Sequence, residues 1–419
     1  MLSTLQFIRN RLSEALWVRP LVMCVVSFMG TVVAYLLGRW VDASLVPDIS
    51  RESLEVLLGV LNTGMLAVAV FAVGAMVSAY SSAGQTATPR SFSLIIADDV
   101  SQNALSTFIG AFLFSVIAVL ALMNGFYSGA GRFFLLILTL AVFWVVVITF
   151  IRWVDRIARL GRLAMTLKKV EAATTRAITR YQRSWLWHGA SEEESAEGVE
   201  VRVPRIGYLQ WIDFSLLQRW ADKADLKIRL NVLPGAFITP DRVVARIMGK
   251  PERAIAEEDL ERLGQAFRLG EQRLFDEDPR FGFVVLSEIA SRALSPSVND
   301  PGTAIQVVGQ LVRLLHLWRN PEEEADAETD KRYDRLEAPA VQLESLFDDA
   351  FIGISRDGAS MREVMIRLQK AFRALAAIDP EMKDMAEHYA RLSLKRAQNA
   401  LSLEEDYEDV RAVYEQWAK

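Results

Sequence analysis

PLVMCVVSFMGTVVAYLLG, residues 20–38, is the first of four apolar runs whose reading decides the fold. The others are LLGVLNTGMLAVAVFAVGAMVSAY (57–80), ALSTFIGAFLFSVIAVLALM (104–123) and FFLLILTLAVFWVVVITFI (133–151). A helix that crosses the hydrocarbon core needs about 20 predominantly apolar residues, and a charge held there is costly. None of the four runs contains Asp, Glu, Lys or Arg. The sequence therefore predicts an α-helical integral membrane domain of four transmembrane helices over residues 20–151. A cytoplasmic α+β domain follows, mostly helical with a small β unit.

The flanking charges set an orientation. Arg9, Arg11 and Arg19 precede the first run against a single acid, Glu14, and Arg152, Arg156, Arg159, Arg162, Lys168 and Lys169 follow the fourth. Flanks rich in Lys and Arg are retained in the cytoplasm. The connection 41–56 is acidic instead, with Asp42, Asp48, Glu52 and Glu55 against Arg51, and 124–132 is short and Gly-rich. Those two connections face outward, which leaves both termini cytoplasmic. Residues before Pro20 lack the small-residue pattern of a cleaved signal, so the first run is read as retained.

Composition narrows the function classes. From Arg152 onward the 419-residue chain has enough length for one or two soluble domains. The hydrophobic content of 52% and net charge of −5 average an apolar third with an ordinary soluble remainder, and no nucleic-acid footprint follows. The one cysteine, Cys24, lies inside the first run, which excludes a disulfide framework or thiolate metal cluster within one chain. His188, His316 and His388 are far apart, and no HExxH, phosphate loop, dinucleotide Gly fingerprint or GxSxG elbow occurs. Asp276, Asp278, Glu288 and Asp300 could converge, but soluble helices carry such residues anyway. No catalytic constellation, metal or cofactor is expected.

Along the chain, residues 1–19 read as an interfacial amphipathic helix or a disordered stretch with an aromatic anchor, and 20–151 as the membrane domain. Residues 152–190 read as a basic juxtamembrane helix continuing unbroken to about Arg183. Its nine Lys or Arg against two acids suit anionic lipid headgroups or a solvated stalk. SEEESAEGVE (191–200) is an acidic linker. Residues 201–250 form a small mixed β unit with a Pro234-Gly235 turn, and 251–419 a helical domain interrupted by a polar loop at 320–334.

The second run is rich in small residues. Thr63, Ala67, Gly74, Ser78, Ser81 and Ser82 either let backbones approach within the four-helix group or line a pore at the centre of an oligomer. The connection after it, SSAGQTATPRSFSLIIADDVSQ (81–102), would place Gln85, Arg90, Asp98, Asp99 and Gln102 at the inner mouth; alternatively Asp98 or Asp99 only caps the third span.

RALSPSVNDPGTA (292–304) separates two helices with little apolar content. Asn299 or Asp300 is placed to cap the next helix, and Pro301 fits its first turn. Arg292, Ser295, Ser297, Asn299, Asp300 and Thr303 are also candidates for a ligand or a subunit contact. This block, with GYLQWID (207–213), PGAFI (234–238), FDEDPRFG (275–282) and SAGQTATPR (82–90), resembles a bacterial family of predicted membrane proteins carrying a domain of unknown function. The resemblance covers nearly the whole chain. It implies a membrane part before a soluble part, in the bacterial inner membrane, and no activity.

Three classes of function compete. An enzyme lacks a motif. A homo-oligomeric channel or conduit with a cytoplasmic regulatory domain accounts for the small-residue span, the polar inner connection and the mixed β and helical domain; the order resembles the layout of small-conductance mechanosensitive channels. The alternative is a membrane-anchored sensor or scaffold whose helical domain binds a partner or small ligand.

Overall fold

The structure is a computed structural model and describes residues 18–92, 94, 99–158, 162–183, 198–249, 255–321 and 333–418. It contains two compact units, Met1–Thr166 and Leu167–Lys419, each considered by itself. The expected interfacial helix and acidic linker fall mostly outside the described residues.

In the first unit the uncharged runs become four long helices, α1 (Val18–Trp40), α2 (Arg51–Thr86), α3 (Asp99–Met123) and α4 (Gly129–Ile157). All four are long and apolar enough to cross a membrane. Half of the apolar window of α3 is buried, against 17 to 22% for the others, so α3 is the central helix. It packs against α1, α2 and α4. Phe108, Phe114, Ala118 and Leu122 supply its buried face.

Where lipid tails and side chains are equally apolar, helices associate through close backbone approach and interhelical hydrogen bonds. Both are present. A Cβ on Gly38 of α1 would lie 2.4 Å from the Cα of Gly131 in α4, so only glycine fits that crossing. Beside it the Ser128 hydroxyl donates to the Gly38 carbonyl at 2.8 Å, and Ser27 donates to the Gly110 carbonyl at 2.8 Å. Charges gather at the helix ends. Arg132 pairs with Asp48 at 2.7 Å beside one set of connections, and Arg19 pairs with Asp99 and donates to Asn103 at the other.

The fourth helix ends at Ile157, and a separate helix, α5 (Leu163–Arg183), follows. This corrects the expected unbroken helix from Arg152. The physical reason lies in what α5 packs against. Leu167, Val170, Ala173, Thr174, Ala177, Ile178 and Tyr181 are buried in the second unit as an apolar stripe that packs there. Tyr181 accepts from the Val341 amide at 2.8 Å and stacks on Trp318, and Glu171 takes hydrogen bonds from Gln310 and Arg313. From Leu167 on, α5 is part of the second compact unit rather than a stalk.

Two small sheets follow. Strands β1 (Val199–Arg202), β2 (Gly207–Ile212), helix α6 (Phe214–Ala224), β3 (Lys227–Leu230), β4 (Phe237–Ile238) and β5 (Val243–Met248) precede α7 (Glu257–Gly264) and β6 (Phe267–Gly270). Later come α8 (Phe281–Ala293), α9 (Pro301–Arg319) and β7 (Leu336–Glu337). One sheet runs β1-β5-β3-β7, with β3 and β7 parallel; the other runs β4-β2-β6 and is antiparallel. The expected β unit at 201–250 is therefore incomplete without β6 and β7, which lie in the stretch read as helical. Within the stretch expected as helical, α7 ends at Gly264 and Phe267 to Gly270 pairs with β2 instead.

The remainder is α10 (Leu343–Phe347), a π-helical turn at Asp348–Ile352, α11 (Gly353–Asp357), α12 (Arg362–Ala376), α13 (Pro380–Ala400) and α14 (Glu404–Glu415). Its core is built by α8 against α9 and α11, α9 against α12, and α12 against α13 and α14. Phe283, Phe347, Phe351 and Phe372 are fully buried there.

Candidate functional site

Two faces divide α2. Leu54, Leu58, Leu61, Ala69, Ala72 and Met76 are buried against the other long helices. Val56, Val60, Thr63, Ala67, Val70, Gly74, Val77 and Ser81 recur at alternating spacings of four and three, which places them in one stripe, and all are exposed. Ser78 and Ser82 are exposed beside it. An added Cβ on Gly74 would meet nothing within 4 Å. The small-residue positions therefore do not serve packing inside this helix group. Larger side chains, Leu66 and Phe71, flank the stripe.

The connection between α2 and α3 is less unified than the sequence suggested. Arg90 is exposed on a 3-10 turn at Pro89–Ser91. Asp99 is occupied by Arg19, and Gln102 is only 4% exposed, turned among the helices because it sits one turn before buried Ser106 on α3. Asp98 and the Gln85 side chain lie outside the described residues. Missed by sequence reasoning is Trp153, fully buried and ringed edge-on by Phe71 and Phe108.

In the second unit three of the quoted segments converge. The Gly235 amide donates to the Leu209 carbonyl at 2.7 Å, joining PGAFI to GYLQWID. Gly235 has φ +91°, and a Cβ there would sit 2.0 Å from Asp278 Oδ2, so PGAFI also abuts FDEDPRFG. Asp278 accepts from Arg273 Nε at 2.7 Å and from the Arg280 and Phe281 amides at 3.1 and 3.2 Å, closing the start of α8. Burial pushes its carboxyl up, opposed by the Arg273 guanidinium, which itself lies over the Phe281 ring.

The fourth segment is at the other end of α8. Asn299 takes φ +50°, and Asp300 caps α9 by accepting from the Thr303 amide at 3.0 Å and hydroxyl at 2.6 Å. The Thr303 hydroxyl holds the Asp300 carboxyl below its usual range. Ser295 donates to the Arg292 carbonyl and lies 3.3 Å from Ser297. Arg292, Ser297 and Asn299 are exposed. The candidates are thus brought into one loop whose capping geometry is complete.

Between these ends lies the π-helical turn. Arg280 binds Asp349 through two nitrogens, at 2.7 and 3.2 Å, and Tyr389 donates to Asp348. A π-helical turn displaces carbonyls from their usual partners, and Arg396 donates to the Ile352 carbonyl at 2.9 Å and to Ser355. Arg273, Arg280, Asp349, Tyr389 and Arg396 were not selected from the sequence. FDEDPRFG could have indicated Arg280; nothing local marks the others. Among the described residues no group of three or more His, Cys, Asp or Glu is placed to hold a metal ion.

A family model described as "Predicted membrane protein (DUF2254)" matches residues 13–374. The chain is similar to an uncharacterized protein of Mycobacterium tuberculosis (strain CDC 1551 / Oshkosh), 26% identical over 216 residues that cover 50% of this chain and 42% of the relative. An uncharacterized protein of Mycobacterium bovis (strain ATCC BAA-935 / AF2122/97) matches with the same identity and coverage. The chain thus spans less than half the length of these relatives. No solved structure is significantly similar.

Proposed function

The chain belongs to the DUF2254 family of predicted membrane proteins, and from that premise we propose that it is a homo-oligomeric conduit of the bacterial inner membrane. In this reading α2 lines the axis, both termini are cytoplasmic, and residues 167–419 regulate the conduit from inside the cell.

The observation that supports it is a contrast between outward faces. On α1 the exposed side chains include Leu21, Phe28, Met29, Leu36 and Leu37, and on α4 Ile137, Phe143, Trp144 and Ile148. Those suit lipid. The stripe on α2 carries Val, Thr, Ala, Gly and Ser, which favour close approach of another helix or leave room on an axis. From Val56 to Thr86 no residue of α2 is charged, so selection would rest on size and dehydration, with hydroxyls at Thr63, Ser78 and Ser81 between valines. Because α3 fills the centre of the helix group, an aqueous path needs several subunits.

Purified protein in liposomes tests the reading. Ion or solute flux under tension, voltage or a pH step is expected, and Gly74→Leu or Ser78→Leu should reduce it severalfold. Absence of flux under all three stimuli overturns the conduit. One feature favours the other reading, a membrane-anchored sensor: π-helical turns occur often at functional sites. A flux-free protein whose Asp349→Ala variant loses capture of a specific ligand would support that sensor.

A further inference from the structure

In the soluble unit five large hydrophobic side chains are exposed among the described residues: Val199, Ile206, Phe237, Val298 and Leu403. Two of them fall together on the β4-β2-β6 sheet. Phe237 on β4 is the register partner of Tyr208 on β2, their rings 5.1 Å apart, and Ile206 precedes Tyr208 by two residues. Ile206 is 66% exposed and Phe237 47%, while the intervening Gly207 and Leu209 are buried. The alternation turns Ile206, Tyr208 and Phe237 to the outer face.

Cations border this face. Arg242 Nη1 donates to the Phe237 carbonyl at 2.6 Å, Arg205 adjoins Ile206, and Arg268 lies on β6 across from Trp211. All three are exposed, and none has a carboxylate partner among the described residues. Asp241 is the adjacent acid, its carboxyl engaged by the Thr239 hydroxyl.

We propose that this face is a docking surface for an anionic bilayer, with Ile206 and Phe237 entering the interface and Arg205, Arg242 and Arg268 meeting lipid phosphates. Apolar tips set among exposed arginines that have no carboxylate partner among the described residues are the arrangement that interfacial binding uses. A protein partner fits less well. Two apolar side chains and one half-buried ring fall far short of the roughly 800 Å² per partner of a stable interface. Strand addition is disfavoured because β4, at the sheet edge, is two residues long. The inference rests on the membrane reading above but not on conduction.

The chain in the Cys24→Ser background tests it, with one cysteine introduced at Phe237, at Leu403 or at Leu21, the last exposed near one end of α1, and labelled with an environment-sensitive fluorophore. The vesicles contain phosphatidylcholine with or without phosphatidylglycerol and headgroup-proximal quencher lipids. The label at 237 should be quenched in phosphatidylglycerol vesicles and the label at 403 should not. Arg205→Glu and Arg242→Glu should each reduce the docked population at least about fivefold, the electrostatic contribution of one arginine near an anionic surface. Quenching at 21 without quenching at 237 overturns the docking surface and leaves the membrane reading intact. No quenching at either overturns the premise as well. Quenching at 237 that ignores both arginine variants and lipid charge also contradicts the proposal, as does cross-linking of 237 to a second copy.

Discussion

Asp278→Ala should destabilise the second unit substantially, although the intact carboxylate is itself costly to bury. The side chain is 3% exposed and serves three donors at once: Arg273 Nε and the amides of Arg280 and Phe281. Removal leaves Arg273, whose side chain is 21% exposed, without its carboxylate, and uncaps α8. Breaking a buried pair from one side costs about 3–5 kcal/mol, and the partial exposure of Arg273 places this case near 3. For a unit of this size 1 kcal/mol moves Tm by about 2–4 °C, so the loss is about 6–12 °C. Fluorescence-detected thermal unfolding of the detergent-solubilised chain reads it. Gly235→Ala supplies the companion variant, since its Cβ would collide with Asp278 Oδ2 at 2.0 Å. In the Asp278→Ala background that collision is gone, and the double variant should cost less than the sum of the singles, leaving the φ +91° strain. A Tm loss under about 2 °C for Asp278→Ala, or strict additivity with Gly235→Ala, would refute the reasoning.

Asp278 and Asp300 should give opposite pH dependences. Burial raises the folded Asp278 carboxyl, so its contribution is greatest below the unfolded value and falls as pH rises through the folded one; Asp278→Asn should remove that slope from unfolding measured across acid pH. The lowered Asp300 carboxyl contributes fully above its unfolded value and is lost as pH falls through the folded one, a slope that Asp300→Asn should abolish. Asp300→Ala should cost about 1 kcal/mol by loss of the α9 cap, read by chemical denaturation. Asn299→Val should destabilise more than Asn299→Gly, because φ +50° suits glycine and excludes a β-branched residue. Gly38→Leu should disrupt the α1–α4 crossing at Gly131 and lower the yield of folded protein in detergent gel filtration, whereas Gly64→Leu, where an added Cβ meets nothing, should not.

The four long helices were legible because uncharged runs of that length have few alternatives, and their order was legible with them. Which helix is central was not, because α2 and α3 are similarly rich in small residues and only packing separates Ala118 from Gly74. The sheets were misjudged for a related reason. Strands of two to four residues such as β6 and β7 carry too little periodicity to stand out from helical neighbours, and their pairing depends on partners far along the chain. In the candidate regions, Pro301 after Asp300 announced the cap, and the structure places it there. Asp349, Tyr389 and Arg396 gave no such signal, since the π-helical turn that gathers them is not encoded by any local motif.

The most direct test of the conduit is to place single cysteines, in the Cys24→Ser background, at Gly74 on the α2 stripe and at Phe143 on the outer face of α4, and to measure cross-linking in native membranes together with mass in detergent. An oligomer that cross-links through 74 and not through 143 is the predicted result. A monomeric mass, or cross-links through 143 alone, would contradict the account.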